Sequence, residues 1–572
     1  MASEKINIEV ARHSFSHILA AAVVEMFPEA KLGIGPAIEN GFYYDFDLPR
    51  TLIPEDLALL EKKMREVISK DLKFEKVKIP VAEALQKLKE SDEIYKSELV
   101  IELKAQGEKT VSLYKTGEFV DLCKGPHIES TANLKNIAFK LDKIAGAYWR
   151  GDEKNKMLQR IYGLAFETQN ELDEYLENRE QAAKRDHKKI GQDLDLFSFH
   201  GECPGMPFWH EKGMIVWNLL EAFGKSIRKK YGYIEIKTPI IAKDILWKTS
   251  GHWEHYKDSM FTFEVDKVGY AIKPMDCPFN IKIYQTRQRS YRDLPIRFTE
   301  IGRVYRNEKS GELNGLLRVQ EVTQDDSHIF LKEDQIEEEI GKLLEMTKEF
   351  YAKLGLVPEF FLSTRPDDFM GEISSWDKAE ADLKKVLEAK KIKYGLKEKD
   401  GAFYGPKIDV NAKDALGRSW QVATIQLDFQ LPGRFKCEYI DEDGKAKTPV
   451  MIHAAIFGAY ERMIGILLEH YAGALPLWLT PVQAIVLPIA DRHNEYAQNV
   501  VQELQGASVR ARIDDKSETV GRKIREAELQ KIPYILIVGD KEIEAKKVAV
   551  RKYGVDEGQK EISAVAKEIN NS

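Results

Sequence analysis

Arg297-Phe298-Thr299-Glu300-Ile301-Gly302-Arg303-Val304-Tyr305-Arg306 and Leu317-Arg318-Val319-Gln320-Glu321-Val322-Thr323 read as two antiparallel strands. Both runs carry the β-branched and aromatic residues that suit a pleated, half-buried surface. Between them, Asn307 to Leu316 holds Ser310-Gly311 and Asn314-Gly315, dipeptides that turn a chain. The pair lies in a longer block, from about 190 to 476, where aromatic β-type runs alternate with Gly/Pro turns and a few helices. Such a block predicts an antiparallel sheet packed by helices.

Outside this block the texture changes. Residues 1–165 read as a mixed α/β unit: His13 to Phe27 has the spacing of an amphipathic helix, Lys31 to Asp47 is turn-and-strand, and Leu52 to Lys70 is a second helix. Residues 166–189 become strongly charged, with Glu and Lys/Arg interspersed, and predict an exposed linker helix. After Pro476 strands alternate with helices: Val482 to Pro488, His493 to Leu504, Val509 to Ile513, Val520 to Gln530, Tyr534 to Val538 and Val548 to Val550. That alternation predicts a small α/β domain, 477–572, with a mostly parallel sheet.

At 572 residues, 43% hydrophobic and 31% charged, the chain has the size of roughly three or four domains with apolar area to fill their cores. No run approaches the roughly 20 apolar residues of a spanning helix. Met1-Ala2-Ser3-Glu4-Lys5 lacks the basic, then apolar, start of a secretory signal. The four cysteines, Cys123, Cys203, Cys277 and Cys437, are far apart, so a disulfide framework is not expected and a reducing cytoplasm is. A net charge of −7 argues against a general nucleic-acid binder but leaves room for a local basic surface.

Chemistry concentrates in the central block. Arg306 and Glu308 close one strand, Arg318 begins the next, and Gly458-Ala459-Tyr460-Glu461-Arg462 opens an apolar helix. Cys277, His328 and His453 are good metal-ligand types without short spacing. Taken singly, such arginines are ordinary surface residues and such histidines are structural. In the N-terminal unit His13 and His17 share one helical face at i and i+4, and Cys123-x-x-x-His127 adds two more donors. By residue type alone this set is either a zinc site or a group of satisfied structural histidines.

Several segments carry a resemblance that outweighs the single-residue readings. Tyr305-Arg306-Asn307-Glu308, Gln324-Asp325-Asp326-Ser327-His328-Ile329-Phe330 and Gly458 to Arg462 resemble motifs two and three of the class II aminoacyl-tRNA synthetases, and Thr238-Pro239 resembles the end of motif one. The His-Ile-Gly-His and Lys-Met-Ser-Lys signatures of class I are absent. Lys273-Pro274-Met275-Asp276-Cys277-Pro278, Tyr404-Gly405-Pro406-Lys407, Gln426-Leu427-Asp428-Phe429 and Met451-Ile452-His453 are similar to the threonyl-tRNA synthetase family within class II, and the likeness runs from His13 to the C-terminal domain.

The resemblance implies an α+β multidomain protein: an N-terminal editing domain (1–165), a linker (166–189), a class II catalytic domain (190–476) and an anticodon-binding domain (477–572). It implies a catalytic group of Arg306 on the α-phosphate, Glu308 at the adenine end, Arg318 on the outer phosphates and Arg462 on the adenine face, with Mg2+ accompanying ATP. Cys277, His328 and His453 match the family's zinc ligands, one ion per subunit, leaving a coordination position for threonine. Met275, Gln324, Asp326, Tyr404, Lys407, Gln421 and Gln426 match substrate contacts, with Asp326 toward the threonine hydroxyl. Coordination of a hydroxyl rejects valine, which an apolar pocket separates poorly. Val322 stands where many members have an aromatic residue on adenine, and Ala459 where a small polar residue is expected.

Serine also has the hydroxyl, and one methyl discriminates by only about 1–3 kcal/mol, so a second, hydrolytic site is expected. His13, His17, Tyr44, Lys96, Asp121, Cys123 and His127 match the family's editing pocket, with His13 as base or water-positioning group and without a permanent metal. Members usually begin with a further ubiquitin-like domain, and this sequence starts almost at the editing domain. The remaining implications are tRNA(Thr), ATP and threonine as partners, a homodimer through motif one, no membrane, and a cytoplasmic location. Lys516, Arg522, Lys523 and Arg525 are where tRNA phosphates would meet the C-terminal domain. Two rivals remain: a neighbouring class II enzyme for proline or serine, against which the Cys277/His328/His453 set argues, and a catalytically silent RNA-binding paralogue, against which Arg306, Glu308 and Arg462 argue.

Overall fold

A computed structural model describes residues 6–571; the leader expectation, read on Met1 to Lys5, falls outside them. The chain divides into two units, Met1–Glu180 and Gln181–Ser572.

In the first unit, helix α1 (Ile8–Met26) starts at Asn7, whose side chain accepts the Glu9 N–H at 2.9 Å. Phe15, Leu19 and Val23 point from it into the core with no exposed surface. They pack on an antiparallel sheet containing β1 (Gly41–Asp47), whose outer neighbours are short strands, then β5 (Ala138–Tyr148) beyond β6 (Met157–Phe166). A second sheet pairs β2 (Phe74–Pro80), β3 (Thr110–Thr116) and β4 (Phe119–Leu122), all antiparallel. Helix α2 (Pro54–Ser69) covers the first core, while α3 (Val81–Glu90) and α4 (Ile94–Ala105) pack with the smaller sheet.

The charged stretch expected to form one solvated linker helix is two helices. Helix α5 (Gln169–Lys184) buries Leu172 against Ala138 and Leu164. The chain then breaks, because the Asp186 side chain caps a new helix, α6 (His187–Asp193), by accepting the Lys188 N–H at 2.8 Å. In α6 His187, Ile190 and Gly191 are buried, so a charged sequence hides a packed face.

The second unit is built on an eight-stranded sheet. Its centre runs β7 (Ile296–Tyr305), β8 (Glu321–Leu331), β12 (Val450–Ala459), β11 (Ser419–Asp428), β10 (Lys407–Lys413), β9 (Pro358–Ser363), antiparallel at every step. The two expected strands are β7 and β8, paired from Ile296↔Phe330 to Tyr305↔Glu321. The second begins four residues later than expected, because Leu316 and Leu317 turn inward to fill the core. Helices α7 (Glu211–Lys230), α9 (Ile336–Lys353) and α11 (Tyr460–His470) pack on this sheet, with α8 (Cys277–Tyr284) and α10 (Ile373–Ala389) beside them. Ile329, Leu331, Ile340, Leu344, Ile452, Ile464 and Leu468 form the heart of one cluster, each side chain contributing about 1.5–3 kcal/mol by burial.

In the C-terminal domain β13 (Ala484–Pro488) runs parallel to both β14 (Ala511–Ile513) and β15 (Tyr534–Val538). The next strands, β16 (Val548–Lys552) and β17 (Val555–Lys560), are antiparallel, so the sheet is mixed and not mostly parallel. The link from Val538 to Val548 is too short for a crossover, and Tyr553-Gly554, both at positive φ, close a tight hairpin. Among the described residues no helix is long and apolar enough to cross a membrane.

Candidate functional sites

On β8, Val322, Gln324, Asp326 and His328 alternate onto one face and line a cavity of about 680 Å³. Strand β12 bulges opposite them: Gln324 pairs with Ala459 while Asp326 pairs with Ala455. Gly458 takes the bulge at φ +72°, where a Cβ would lie 2.3 Å from the Val422 carbonyl; only glycine fits both demands. The bulge re-aims the strand so that Ala459 and Arg462 also reach the cavity.

The cavity floor is a set of metal-ligand side chains. His328 and His453 are directly paired across β8 and β12, and Cys277 is the first residue of α8. One ligand atom from each lies within 4.8 Å of the others, and all three residues are buried. His328 Nδ1 is buried without a hydrogen-bond partner. Burial, with His453 and Lys273 nearby, holds the His328 ring well below its ordinary pKa and therefore neutral. Burial and the carboxylates of Asp326, Asp428 and Asp276 push the Cys277 thiol far up. A thiol beside carboxylates, a neutral His328 ring with an unpartnered nitrogen and a second imidazole at His453 fit a thiophilic divalent cation. His453 Nε2 lies 2.9 Å from Asp428 Oδ2, which fixes the ring.

Substrate-type groups surround this floor. The Tyr404 hydroxyl donates to Gln426 Oε1 at 2.5 Å, and Gln426 is the cross-strand partner of His453. Asp326 accepts the Ser327 N–H at 2.9 Å; burial and the charges of Asp276 and Glu300 raise its pKa well above the carboxylate range. Arg306 touches Met275 Sδ at 3.6 Å, its Nε has no partner, and Arg462 Nε is likewise buried and unpartnered. Arg318 is engaged, at 2.7 Å by Glu308 and 2.8 Å by Glu312.

Of the residues expected around this site, all but Lys407 line the cavity. Lys407 is drawn off by Asp409, 3.1 Å from its ammonium, which also accepts from Gln421 at 2.7 Å. Val322 and Ala459, the two departures from the family pattern, are both at the wall. Sequence reasoning passed over Asp428, Trp420 and Thr424, and over a buried bridge in which Lys273 Nζ meets Asp276 at 2.5 Å and Thr238 Oγ1 at 2.9 Å. Asp428, Lys273 and Asp276 sit inside segments already singled out, so proximity in sequence was the available signal.

The first unit brings together every residue expected there. His13 and His17 project from α1 toward Cys123 and His127 in the loop after β4, with one ligand atom of each within 4.8 Å of the others. Cys123 Sγ is 3.3 Å from both His13 Nε2 and His127 Nε2. His13 Nδ1 lies 3.1 Å from the Pro126 carbonyl; a carbonyl only accepts, so Nδ1 carries the proton and Nε2 the lone pair. Ser14 Oγ donates to the Val10 carbonyl and sits 3.1 Å from His127 Nδ1, giving His127 the same tautomer. Burial lowers the pKa of His13, and that of His17 to about 4, so both rings are neutral near pH 7.

Behind the rings lies Asp121. Lys96 Nζ is 2.6 Å from Oδ1, the Tyr44 hydroxyl donates to Oδ2 at 2.5 Å, and His17 Nε2 is 3.5 Å away. Burial opposes ionisation of Asp121, yet Lys96, His17 and these donors hold its pKa below the usual carboxylate range.

Comparison with known proteins bears on both sites. Residues 261–471 match the class II tRNA synthetase core domain of the G, H, P, S and T enzymes. Residues 483–571 match the anticodon binding domain, and residues 111–162 the second additional domain of threonyl and alanyl tRNA synthetases. A threonine–tRNA ligase of Desulforamulus reducens is 52% identical over 95% of this chain and 85% of its own length. The chain belongs to the threonyl-tRNA synthetase family. A threonine–tRNA ligase of Carboxydothermus hydrogenoformans is also 52% identical, over 98% of this chain and 88% of its own. Among solved structures, the RNA binding domain of threonyl-tRNA synthetase from Cryptosporidium parvum superposes with a TM-score of 0.65 at 41% identity, covering 68% of this chain and 98% of that one. The enzyme is thus an ATP-dependent threonine–tRNA ligase with a class II core, an anticodon-binding domain and an editing domain.

Proposed function

We propose that this ligase divides its work between the two clusters, with zinc on Cys277, His328 and His453 and metal-free hydrolysis at His13. The observation that carries the first half is the ligand floor facing into the cavity that also holds Arg306, whose Nε is unpartnered. Bound zinc would supply coordination for the amino and hydroxyl groups of threonine, which valine cannot satisfy. The chain's own groups do the rest. Asp326 accepts from the substrate hydroxyl, and Gln324, Tyr404, Gln421, Gln426 and Met275 shape the pocket. Lys407 acts from behind, by orienting Asp409 and through it Gln421.

Arg306 binds the α-phosphate, where charge grows as the threonine carboxylate attacks and pyrophosphate leaves. Arg462 covers adenine. Triphosphate, accompanied by Mg2+, replaces the carboxylates of Glu308 and Glu312 on Arg318, and the freed Glu308 accepts from the adenine amino group. In the editing unit His13 Nε2 takes a proton from water as its oxygen attacks the seryl ester carbonyl, and gives that proton to the ribose oxygen as the ester bond breaks, releasing serine and the ribose hydroxyl. Asp121, Lys96 and Tyr44 fix His17, while Cys123 and His127 complete the wall.

The same reading takes 1–165 as the editing domain, 166–189 as linker, 190–476 as catalytic and 477–572 as anticodon-reading, with tRNA phosphates met by Lys516, Arg522, Lys523 and Arg525. A homodimer is supported by exposed apolar residues flanking Thr238: Ile234 on the edge strand of the large sheet, Ile241 on a smaller sheet and Ile245 on the helix that follows it are 54%, 52% and 63% exposed. A reducing, cytoplasmic setting suits four free cysteines.

Metal content measured with ATP–pyrophosphate exchange on threonine, valine and serine tests the proposal. About one zinc per chain is expected, with exchange for threonine and serine and none for valine. Metal-free protein that still exchanges with threonine and rejects valine would overturn it.

A further inference from the structure

We infer that His187 is a positioning residue for the ATP loop, holding the segment that carries Glu308, Glu312 and Arg318 through the Leu316 amide. His187 opens α6, far in sequence from any residue assigned to catalysis, and is 1% exposed. Its Nδ1 lies 2.7 Å from Glu469 Oε1 on α11, and its Nε2 lies 2.9 Å from the Leu316 nitrogen. A backbone N–H only donates and a carboxylate only accepts, so one tautomer satisfies both: Nδ1 protonated, Nε2 accepting.

The loop is shaped to reach this imidazole. Gly315 stands at φ +50°, and a Cβ there would lie 2.2 Å from His187 Nε2. Asn314 and Arg318 close the turn on each other, with Asn314 N–H to the Arg318 carbonyl at 3.1 Å and Leu317 N–H to the Asn314 carbonyl at 2.9 Å. Arg318 therefore leaves a turn whose apex is pinned on one ring. Glu469 is itself held: Arg418 Nη2 lies 2.5 Å from Oε2, and Asp414 fixes Arg418 Nε at 2.6 Å.

Although Asp186, His187 and Glu469 group like metal ligands, both ring nitrogens are spent on protein partners and a guanidinium flanks the carboxylate. Hydrogen bonding, not coordination, is the role these atoms play. Without the ring, a buried amide in the loop loses its acceptor and the loop gains freedom just where the triphosphate must find Arg318.

The inference rests on the assignment of Arg318 to the outer phosphates, so the test includes that residue. Full-length H187N, H187Q and R318A are compared by ATP–pyrophosphate exchange, with melting temperature measured for each. Gln can carry an acceptor to the Nε2 position, whereas Asn keeps the donor to Glu469 and cannot reach Leu316. For H187N, KM for ATP should rise roughly tenfold, with kcat and KM for threonine within about twofold of the parent. H187Q should restore KM for ATP. Equal impairment of H187N and H187Q, or an unchanged KM for ATP in H187N, would overturn the role. R318A with unchanged KM for ATP, beside a raised value in H187N, would sink the Arg318 assignment and leave the docking role standing.

Discussion

The two His–Cys clusters use the same donor atoms in opposite electrostatic settings. At the catalytic floor, Asp326 and Asp428 stand beside His328 and His453, and among the described residues neither carboxylate has a Lys or Arg ion pair. At the editing cluster the carboxylate beside His17 is neutralised by Lys96 at 2.6 Å. The first arrangement leaves two carboxyl groups without a cationic partner beside a thiol and two imidazoles; burial and neighbouring acids hold the Asp326 pKa high, and a bound cation would favour its ionised form. The second has already met its carboxylate with an ammonium, so its imidazole lone pairs stay available for water. On the proposed division of roles, the charge behind the ligands, not their type, separates coordination from base catalysis.

The largest effect should come from breaking the first cluster. His453→Ala removes a ligand and leaves Asp428 facing a gap; threonine-dependent pyrophosphate exchange should fall about 10⁴-fold, the scale on which a site built for a hydroxyl fails without its partner. Hydrolysis of supplied seryl-tRNA should persist, since its groups lie in the other unit. A parallel loss of both activities would mean that the clusters are not independent. Next in size is His13→Ala, which should slow seryl-tRNA hydrolysis about 10²-fold, the lower range for a lost general base, while threonine exchange stays at the parental rate. If the hydrolysis rate is unmoved, the base lies elsewhere in the cluster.

The membership of the two clusters could be read before the fold was known, the charge behind them could not, and the missing part has a physical pattern. The grouping of Cys277, His328 and His453 was legible only through the family resemblance of the segments that carry them, and strand pairing brings the two histidines face to face. The antiparallel pair around Arg306 was legible from turn chemistry, though not the late start of β8, which is decided by where Leu316 and Leu317 pack. Long-range polar geometry stayed hidden. Asp428 behind His453, Lys407 drawn to Asp409, and His187 under Leu316 are set by strand register and helix packing. The charged linker misled for a related reason: composition reports the solvated face of α6 and says nothing of the single imidazole on its other side.

The smallest effect sharpens the comparison most. Asp428→Asn keeps the size of the side chain and an oxygen for the Gln430 and Leu431 N–H groups, 2.7 and 3.0 Å away, while removing the charge behind His453. If that charge recruits the cation, zinc affinity should drop about 10-fold, the lower end for loss of an outer carboxylate partner. Threonine exchange should recover when zinc is added in excess. Competition with a zinc chelator of known affinity measures the shift directly. An unchanged affinity would show that three ligands suffice whatever stands behind them, and the paired carboxylate at His13, His17, Cys123 and His127 would then no longer separate that cluster from a metal site.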